Sequence, residues 1–229
     1  MRNIIIALLL LLATPINAED ARRIVVNGEG LVDAVPDMAT ISMGVINEAD
    51  TGAEAMAMNT KAVSELLKQL KAAGIEPRDV QTNNLSLSPR WDNKSSSPSG
   101  QPGISGFVAN NIVTVRVREL AILGSVLDAV VRVGANSFHG LSFGLQDMKP
   151  ALDQARTAAV KEAMHKAELY ASAAGLKLGD VISISDGVQP GARPVMMAME
   201  ADMMRSGAVP VAQGEVSVKA SVTMVIAIE

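Results

Sequence analysis

The apolar residues of this chain change repeatedly between the spacing of a strand and the spacing of a helix, which constrains the fold more than any other feature. They alternate over residues 36–47, as expected of a strand, and recur every three or four positions over 52–73, as expected of a helix. Further strands are predicted at 80–88 and 105–118. This order of elements favours a sheet with helices packed against it.

The second part of the chain continues with the same kinds of element in the same order. A helix is predicted at about 119–133, a strand at 136–147, a long helix at about 149–174, and strands at 180–187 and 215–228. The final strand has the clearest alternation in the sequence. The second half of the chain therefore repeats the order of elements of the first.

Two pairs of motifs align when one half of the sequence is laid over the other. They are Met43-Gly44-Val45 with Phe143-Gly144-Leu145, and Gly74 followed by Asp79 with Gly175 followed by Asp180. The alternative is coincidence, because Gly often ends a helix and Asp often precedes a strand. We predict an α+β fold of duplicated β-α-β-β units, with a mainly antiparallel sheet covered by about three helices. The halves would be about 23–118 and 134–229, linked by the helix at 119–133.

The long predicted helix carries a stripe of small residues. Its members are Ala155, Ala159, Ala163, Ala167, Ala171 and Ala174. Small side chains allow a helix to approach a sheet or another helix closely. We expect the stripe to pack in the core, and a subunit interface is the alternative.

The first eighteen residues have the layout of a secretory signal peptide. Arg2 supplies a positive charge, Ile4–Ala13 is an unbroken apolar run, and Ala18 is a small residue at the expected cleavage position. A membrane anchor is the alternative, but a spanning helix needs roughly 20 apolar residues. We expect cleavage after Ala18, a mature domain at 19–229 without a transmembrane helix, and export to the periplasm, with the outer membrane as a further place of association.

The amino-acid composition argues against several classes of protein function. The chain has no cysteine, so it has no disulfide, no thiol nucleophile and no lipid anchor on an N-terminal Cys. The formal net charge is −4 and the sequence has no basic run, which argues against nucleic-acid binding. Aromatic residues are scarce, and base-stacking platforms need more of them.

The residue types of catalysis are present in patterns that favour structural roles. A Ser-His-Asp triad would need His139 or His165, and no Gly-x-Ser-x-Gly elbow accompanies either histidine. Glu162 and His165 share one helix face, as in carboxylate-bridged metal sites, but such sites use the motif twice. A solvated charged face is favoured there. We predict no catalytic residue, no metal ligand and no cofactor.

The acidic residues near the mature start receive the same interpretation. Glu29, Asp33 and Asp37 are too widely spaced for a calcium loop, so a strand followed by a turn is favoured. The glycines at 28 and 30 lack the third glycine of a dinucleotide-binding fingerprint.

Two irregular segments remain. Residues 92–104 are rich in Ser, Pro and Gly and predict a flexible hairpin loop. Residues 195–204 contain a cluster of methionines: Met196, Met197, Met199, Met203 and Met204. Met196, Met199 and Met203 fall on one helical stripe, and Met suits adaptable contacts, so they are the candidate contact to a partner or another subunit. Copper(I) binding, reversible oxidation and simple loop packing are the alternatives.

Several short motifs match a known family in their order and spacing. They are Val25-Val26-Asn27-Gly28-Glu29-Gly30, Pro36-Asp37, Gly74-Ile75, Asp79-Val80-Gln81-Thr82, Gly106-Phe107-Val108-Ala109-Asn110-Asn111, Val133-Gly134-Ala135-Asn136 and the Ala-rich helix that ends at Gly175. The chain resembles the SIMPL-domain family over nearly its whole mature length. Trp91 and Phe107 stand where the family usually has Tyr, which keeps the aromatic bulk and weakens any role for a hydroxyl there.

The resemblance implies a bacterial periplasmic or envelope protein, associated with oxidative-stress defence or immunogenicity. It also implies a homo-oligomer without an established catalytic activity. We therefore expect a non-enzymatic exported protein that self-associates, supports oxidative or envelope stress defence and has an envelope protein as a further partner. The alternative is a Met-rich protein that buffers soft metal, such as copper, or oxidant.

Overall fold

The computed structural model describes residues 22–92, 103–187, 193–195 and 211–229. The predicted signal peptide at 1–18 lies outside these ranges. Most of the polar loop within 92–104 also lies outside them.

The described residues form eight strands and three helices. The strands are β1 (Arg23–Ala34), β2 (Met38–Ala49), β3 (Val80–Asp92), β4 (Gly103–Val117), β5 (Ser137–Gly144), β6 (Leu178–Gly187), β7 (Arg193–Val195) and β8 (Glu215–Ile228). The helices are α1 (Gly52–Ala72), α2 (Leu123–Arg132) and α3 (Lys149–Ala173). The predicted α+β class, with mainly antiparallel sheet and three helices, is confirmed. No helix in the described ranges is long and apolar enough to cross a membrane.

β7 was not predicted from the sequence, and β1 was anticipated only as the strand favoured over a calcium loop around residues 29–37. In β1, buried and exposed residues alternate, but Asn27 and Gly28 interrupt the apolar pattern that would have revealed the strand. β7 has three residues, which is too short to show a period. The predicted helix at 119–133 begins as a 3-10 turn at Leu120–Ile122 and becomes α-helical at Leu123.

The described residues divide into two compact units. Of the described residues, the larger unit contains 31–92, 103–155, 193–195 and 211–220, and the smaller unit contains 22–30, 156–187 and 221–229. Duplication of the halves at 23–118 and 134–229 stays a prediction.

In the larger unit, four antiparallel strands form a sheet in the order β3-β4-β2-β5. The pairing of β2 with β4 runs without a break from Ala39 opposite Val117 to Ala49 opposite Phe107. Alternate residues of these strands are buried together with residues of α1 and α2. The largest fully buried side chains of this core are Ile41, Met43, Val45, Leu66, Leu70, Val113, Val115, Val117, Val126 and Val130.

Helix α1 has sequence-encoded ends. The Thr51 hydroxyl accepts a hydrogen bond from the Glu54 backbone N–H at 3.2 Å, which caps the start of the helix. At the other end Gly74 adopts a φ of +89°, which other residue types rarely do, and the Ile75 N–H then donates to the Leu70 carbonyl at 3.0 Å. The predicted stop at Gly74 is confirmed.

In the smaller unit, β8 lies between β1 and β6, and α3 packs on this sheet. Ala159, Ala163 and Ala167 are fully buried against apolar residues of β1 and β8. The prediction of core packing for the alanine stripe is confirmed for these residues. It is wrong for Ala174, which lies beyond the end of α3 and is exposed.

Gly28 shows how closely α3 approaches β1. A Cβ atom at this position would overlap the Ala159 carbonyl oxygen and lie 2.7 Å from the Ala163 nitrogen. The alanines on one element and the glycine on the other therefore fit together as one close contact.

Asn136 extends the hydrogen-bond ladder of β2 beyond the end of β5. Its backbone N–H donates to the Gly44 carbonyl at 3.2 Å, and its side-chain amide both accepts from the Ile46 N–H and donates to the Ile46 carbonyl, each at 2.8 Å. The amide group thus takes the place of a peptide unit in a neighbouring strand.

We expect Asn136→Asp to lower the free energy of unfolding by about 1 kcal/mol, because the carboxylate accepts from Ile46 but cannot donate to its carbonyl. Urea denaturation measures the change. Asn84→Asp makes the same change of charge at an exposed position of β3 and is the matched control. Equal effects of the two substitutions would contradict the role given to the Asn136 amide.

Candidate functional site

The three methionines predicted to make a contact, Met196, Met199 and Met203, lie outside the described residues. The contact, copper and oxidant hypotheses for this segment therefore stay predictions. The remaining residues that the sequence analysis considered can be placed.

The two histidines are exposed and lie on different elements. His139 is on β5, and its Nε2 atom is 2.9 Å from the Ser137 hydroxyl. No carboxylate of the described residues accepts a hydrogen bond from His139, so the third group that would orient a catalytic imidazole is not in place there. His165 is on α3, where the neighbouring Glu162 bonds to Lys166 at 2.9 Å. This arrangement agrees with a charged helix face.

The three acidic residues near the mature start each have their own partner. Asp37 accepts from the Gln146 backbone N–H at 2.7 Å, and Asp33 accepts from the Ser217 hydroxyl. The Glu29 backbone N–H donates to the Glu162 carboxylate. Among the residues that the structure describes, no group of three His, Asp or Glu side chains is arranged to hold a metal ion.

The most deeply buried charged group is Asp79, which is 4% exposed. The Arg118 guanidinium donates two hydrogen bonds to its carboxylate, from Nε and from Nη2, each at 2.7 Å. These hydrogen bonds lower the pKa of Asp79 and raise the pKa of Arg118, against the opposing effect of burial. The Arg118 backbone carbonyl accepts in turn from the Gln146 side chain at 3.1 Å.

This network joins four segments of the larger unit at one end of its sheet. Asp79 ends the 3-10 turn before β3, Arg118 follows β4, Gln146 follows β5, and Asp37 precedes β2. Shifted pKa values often mark functional sites, but they also arise in structural ion pairs. The planar Arg118 guanidinium donates one hydrogen bond to each carboxylate oxygen of Asp79, so neither oxygen is left for a substrate. We therefore interpret the network as a structural crosslink.

A second pKa shift has the same kind of cause. Lys166 on α3 donates to Glu162 at 2.9 Å and to the Asn27 backbone carbonyl at 3.0 Å. The hydrogen bond to Glu162 is the largest cause of the raised pKa of Lys166. The lysine thus ties α3 to β1 beside Gly28.

The feature that sequence reasoning missed is a set of exposed apolar side chains on outer strands of the two sheets, together with Ile104 of the inner strand β4, which is paired with Trp91 of β3. In the larger unit they lie on β3, its partner β4 and β5, and in the smaller unit on β6. The residues are Leu85, Leu87, Trp91, Ile104, Phe138, Leu141, Val181, Ile182 and Ile184. Their apolar character is visible in the sequence. Their exposure depends on strand order, which the sequence does not specify.

Within the part of the chain that the structure describes, each of these outer strands is paired with a neighbouring strand along one edge only. β3 and β5 are the first and last strands of one sheet, and β6 is an outer strand of the other. An outer strand presents backbone N–H and C=O groups that a further strand can bond. Apolar side chains beside such groups make these strands the candidate surfaces for association.

Comparison with known proteins places this architecture in a family. A family model named SIMPL and described as "Protein of unknown function" matches residues 24–226. The chain belongs to the SIMPL family. The resemblance found in the sequence motifs is thereby confirmed over nearly the whole described chain.

Individual relatives support the same assignment. This SIMPL chain is 37% identical over 217 residues to the "26 kDa periplasmic immunogenic protein" of Brucella melitensis, covering 90% of this chain and 85% of the relative. It is 32% identical over 186 residues to the "Uncharacterized protein YggE" of Escherichia coli K12, covering 80% of this chain and 73% of that protein. The names of these relatives indicate no enzyme activity.

Proposed function

We propose that this SIMPL protein is an exported, non-enzymatic protein of the periplasm that self-associates into a homo-oligomer and contributes to defence against oxidative or envelope stress. The observation that carries the proposal is the set of outer strands with exposed apolar side chains. Exposed apolar surface beside unpaired strand edges is used in proteins for contacts with other chains.

The periplasmic location has two independent supports. The first eighteen residues have the order of charge, apolar run and small residue that directs secretion. A relative with 37% identity carries the word "periplasmic" in its name. An envelope protein is a further partner for a chain in this compartment.

The non-enzymatic part of the proposal is supported by the causes of the shifted pKa values. Asp79, Arg118, Lys166 and Glu65 have shifted pKa values, and in each case the largest cause is a hydrogen bond to a neighbouring side chain. Glu65, for example, accepts from the Gln69 amide one turn along α1. Each of these shifts is explained by a neighbouring side chain of the protein, so none needs a substrate to account for it.

Survival of bacterial cells under hydrogen peroxide tests the stress role. We expect cells without this protein to survive peroxide less well than cells that carry it, and the wild-type gene to restore survival. Expression of the chain without residues 1–18 is the control for location, because that protein stays in the cytoplasm. Equal survival with and without the exported protein would contradict the stress role.

The methionine segment allows the contact hypothesis to be separated from the copper and oxidant alternative. Replacing Met196, Met199 and Met203 by Leu keeps apolar side chains and removes the thioethers, whereas replacement by Ser removes both. If the segment is a contact, light scattering gives the wild-type particle mass for the Leu variant and a lower mass for the Ser variant. Copper(I) uptake by the wild type that both variants lose would favour metal buffering instead.

A further inference from the structure

Of the outer strands, β3, β5 and β6 carry the exposed apolar set described above, and they differ in how well they can accept another strand. β3 contains Pro89 and has irregular register at two places, and β5 contains Gly140 beside an irregularity in its pairing with β2. Proline, irregular pairing and charge are the usual means by which proteins protect a sheet edge. β6 is irregular in its first half only. From Ser183 opposite Val225 to Gly187 opposite Ser221, it pairs with β8 without a break.

This regular part of β6 has neither lysine nor proline, and its one charged residue, Asp186, is in an ion pair with Arg156 of α3. Its central residue, Ile184, lies opposite Met224 of β8 and is 55% exposed, although Met224 is buried under α3. Ile184 therefore points to the same face of the sheet as α3. It lies too close to the edge of the sheet for α3 to bury it. A strand added along β6 would bury this side chain and satisfy the backbone groups of the edge.

We propose that the added strand is β6 of a second copy of this chain, paired antiparallel about a two-fold axis at Ile184. This inference rests on the proposed self-association and names the surface that carries it. An isologous contact needs a surface that complements itself. In this register the two Ile184 side chains face each other, and Ser183 of each copy faces Ser185 of the other. Apolar and hydroxyl pairs of this kind stabilise neighbouring antiparallel strands.

Charge selects this register over a neighbouring one. An axis at Ser183 would place Asp186 of each copy opposite Asp180 of the other, and directly opposed like charges destabilise a strand pair. With the axis at Ile184, Asp186 faces Ile182 of the second copy. Asp186 also keeps its ion pair with Arg156 of α3, at 3.0 Å.

The pairing would join the two sheets of the smaller units into one. Because the axis is perpendicular to the sheet, both α3 helices would lie on the same face, with Ile184 of each copy between them. One two-fold contact gives a dimer only, so a larger particle needs a second contact elsewhere on the chain. The methionine segment is the candidate that the sequence offers for it.

Cysteine crosslinking tests the inference, because the chain has no cysteine of its own. We expect the mature Ile184→Cys protein, oxidised with diamide, to form a reducible dimer on a denaturing gel, since opposed residues of paired strands lie within disulfide distance. Val131→Cys is the matched control, with 54% exposure on α2 and outside the candidate association strands, and should remain a single chain. A mixture of Ser183→Cys and Ser185→Cys chains should crosslink to each other more than either does to itself.

The outcomes separate this inference from the proposed function. The particle mass of each variant is measured before oxidation, and Ile184→Lys should lower that mass because it opposes two ammonium groups at the axis. Self-linking of Ser183→Cys but not Ile184→Cys would overturn the register. A multimeric particle without a β6 crosslink, and with the Ile184→Lys mass unchanged, would overturn the inference and leave self-association standing. A wild-type protein that is a single chain would contradict both.

Discussion

Replacing Gly28 by Ala is expected to lower the free energy of unfolding of the mature protein by about 3 kcal/mol. The added methyl group would overlap the Ala159 carbonyl oxygen and lie 2.8 Å from the Ala163 Cβ. Most of the neighbouring atoms are backbone of α3, so no side chain can rotate to make room. Either α3 moves away from β1, or the two elements carry the strain.

Chemical denaturation followed by circular dichroism measures this effect. Gly103→Ala is the matched control, because a Cβ at Gly103 has no atom within 4 Å. A Gly28→Ala protein as stable as Gly103→Ala would show that α3 does not approach β1 as closely as described.

The second large effect is expected at the buried ion pair. Asp79→Ala should lower the free energy of unfolding by about 2 kcal/mol, because it removes two hydrogen bonds to a charged partner. Arg118 is partly exposed and can be solvated after the change, which limits the cost. Arg78→Ala is the control: Arg78 lies in the same 3-10 turn, and its ion pair with Glu76 is exposed on both sides.

The pH dependence of this effect follows from the direction of the shift. The pKa of Asp79 is lowered in the folded protein, so the unfolded chain binds a proton more readily. The stabilisation is complete above the ordinary carboxyl pKa of about 3.9 and is lost as the pH falls through the lowered pKa. We expect the difference between wild type and Asp79→Ala to be constant from about pH 8 to 5 and to shrink below about pH 4. A difference that grows as the pH falls would contradict the pairing.

Local features of the fold could be predicted from the sequence because they depend on neighbouring residues. The stripe of α1 ends at Gly74, where the chain needs a positive φ, and the helix stops there. In β8 the alternation of apolar residues matches the alternation of burial from Val218 to Ile226. The spacing of apolar residues indicates which face of a helix or strand is buried, and it does so without knowledge of the element that packs against that face.

Features that depend on distant residues could not be predicted in this way. Asp79 was noted as a residue before a strand and as part of a family motif, but its partner Arg118 is 39 positions away in the sequence. The glycine at 28 was weighed as part of a nucleotide-binding motif, whereas it is needed because α3 lies against it. The candidate association surface on β6 depends on strand order. The same sequence in a central strand would be hydrogen-bonded to a neighbouring strand along both edges and could not accept another strand.

The proposed function requires that this SIMPL protein assembles from identical chains. Light scattering on residues 19–229, purified without a fusion tag at micromolar concentration, measures the mass of the particle directly. The account predicts a single species with a mass several times that of one chain. A uniform species with the mass of one chain would contradict it.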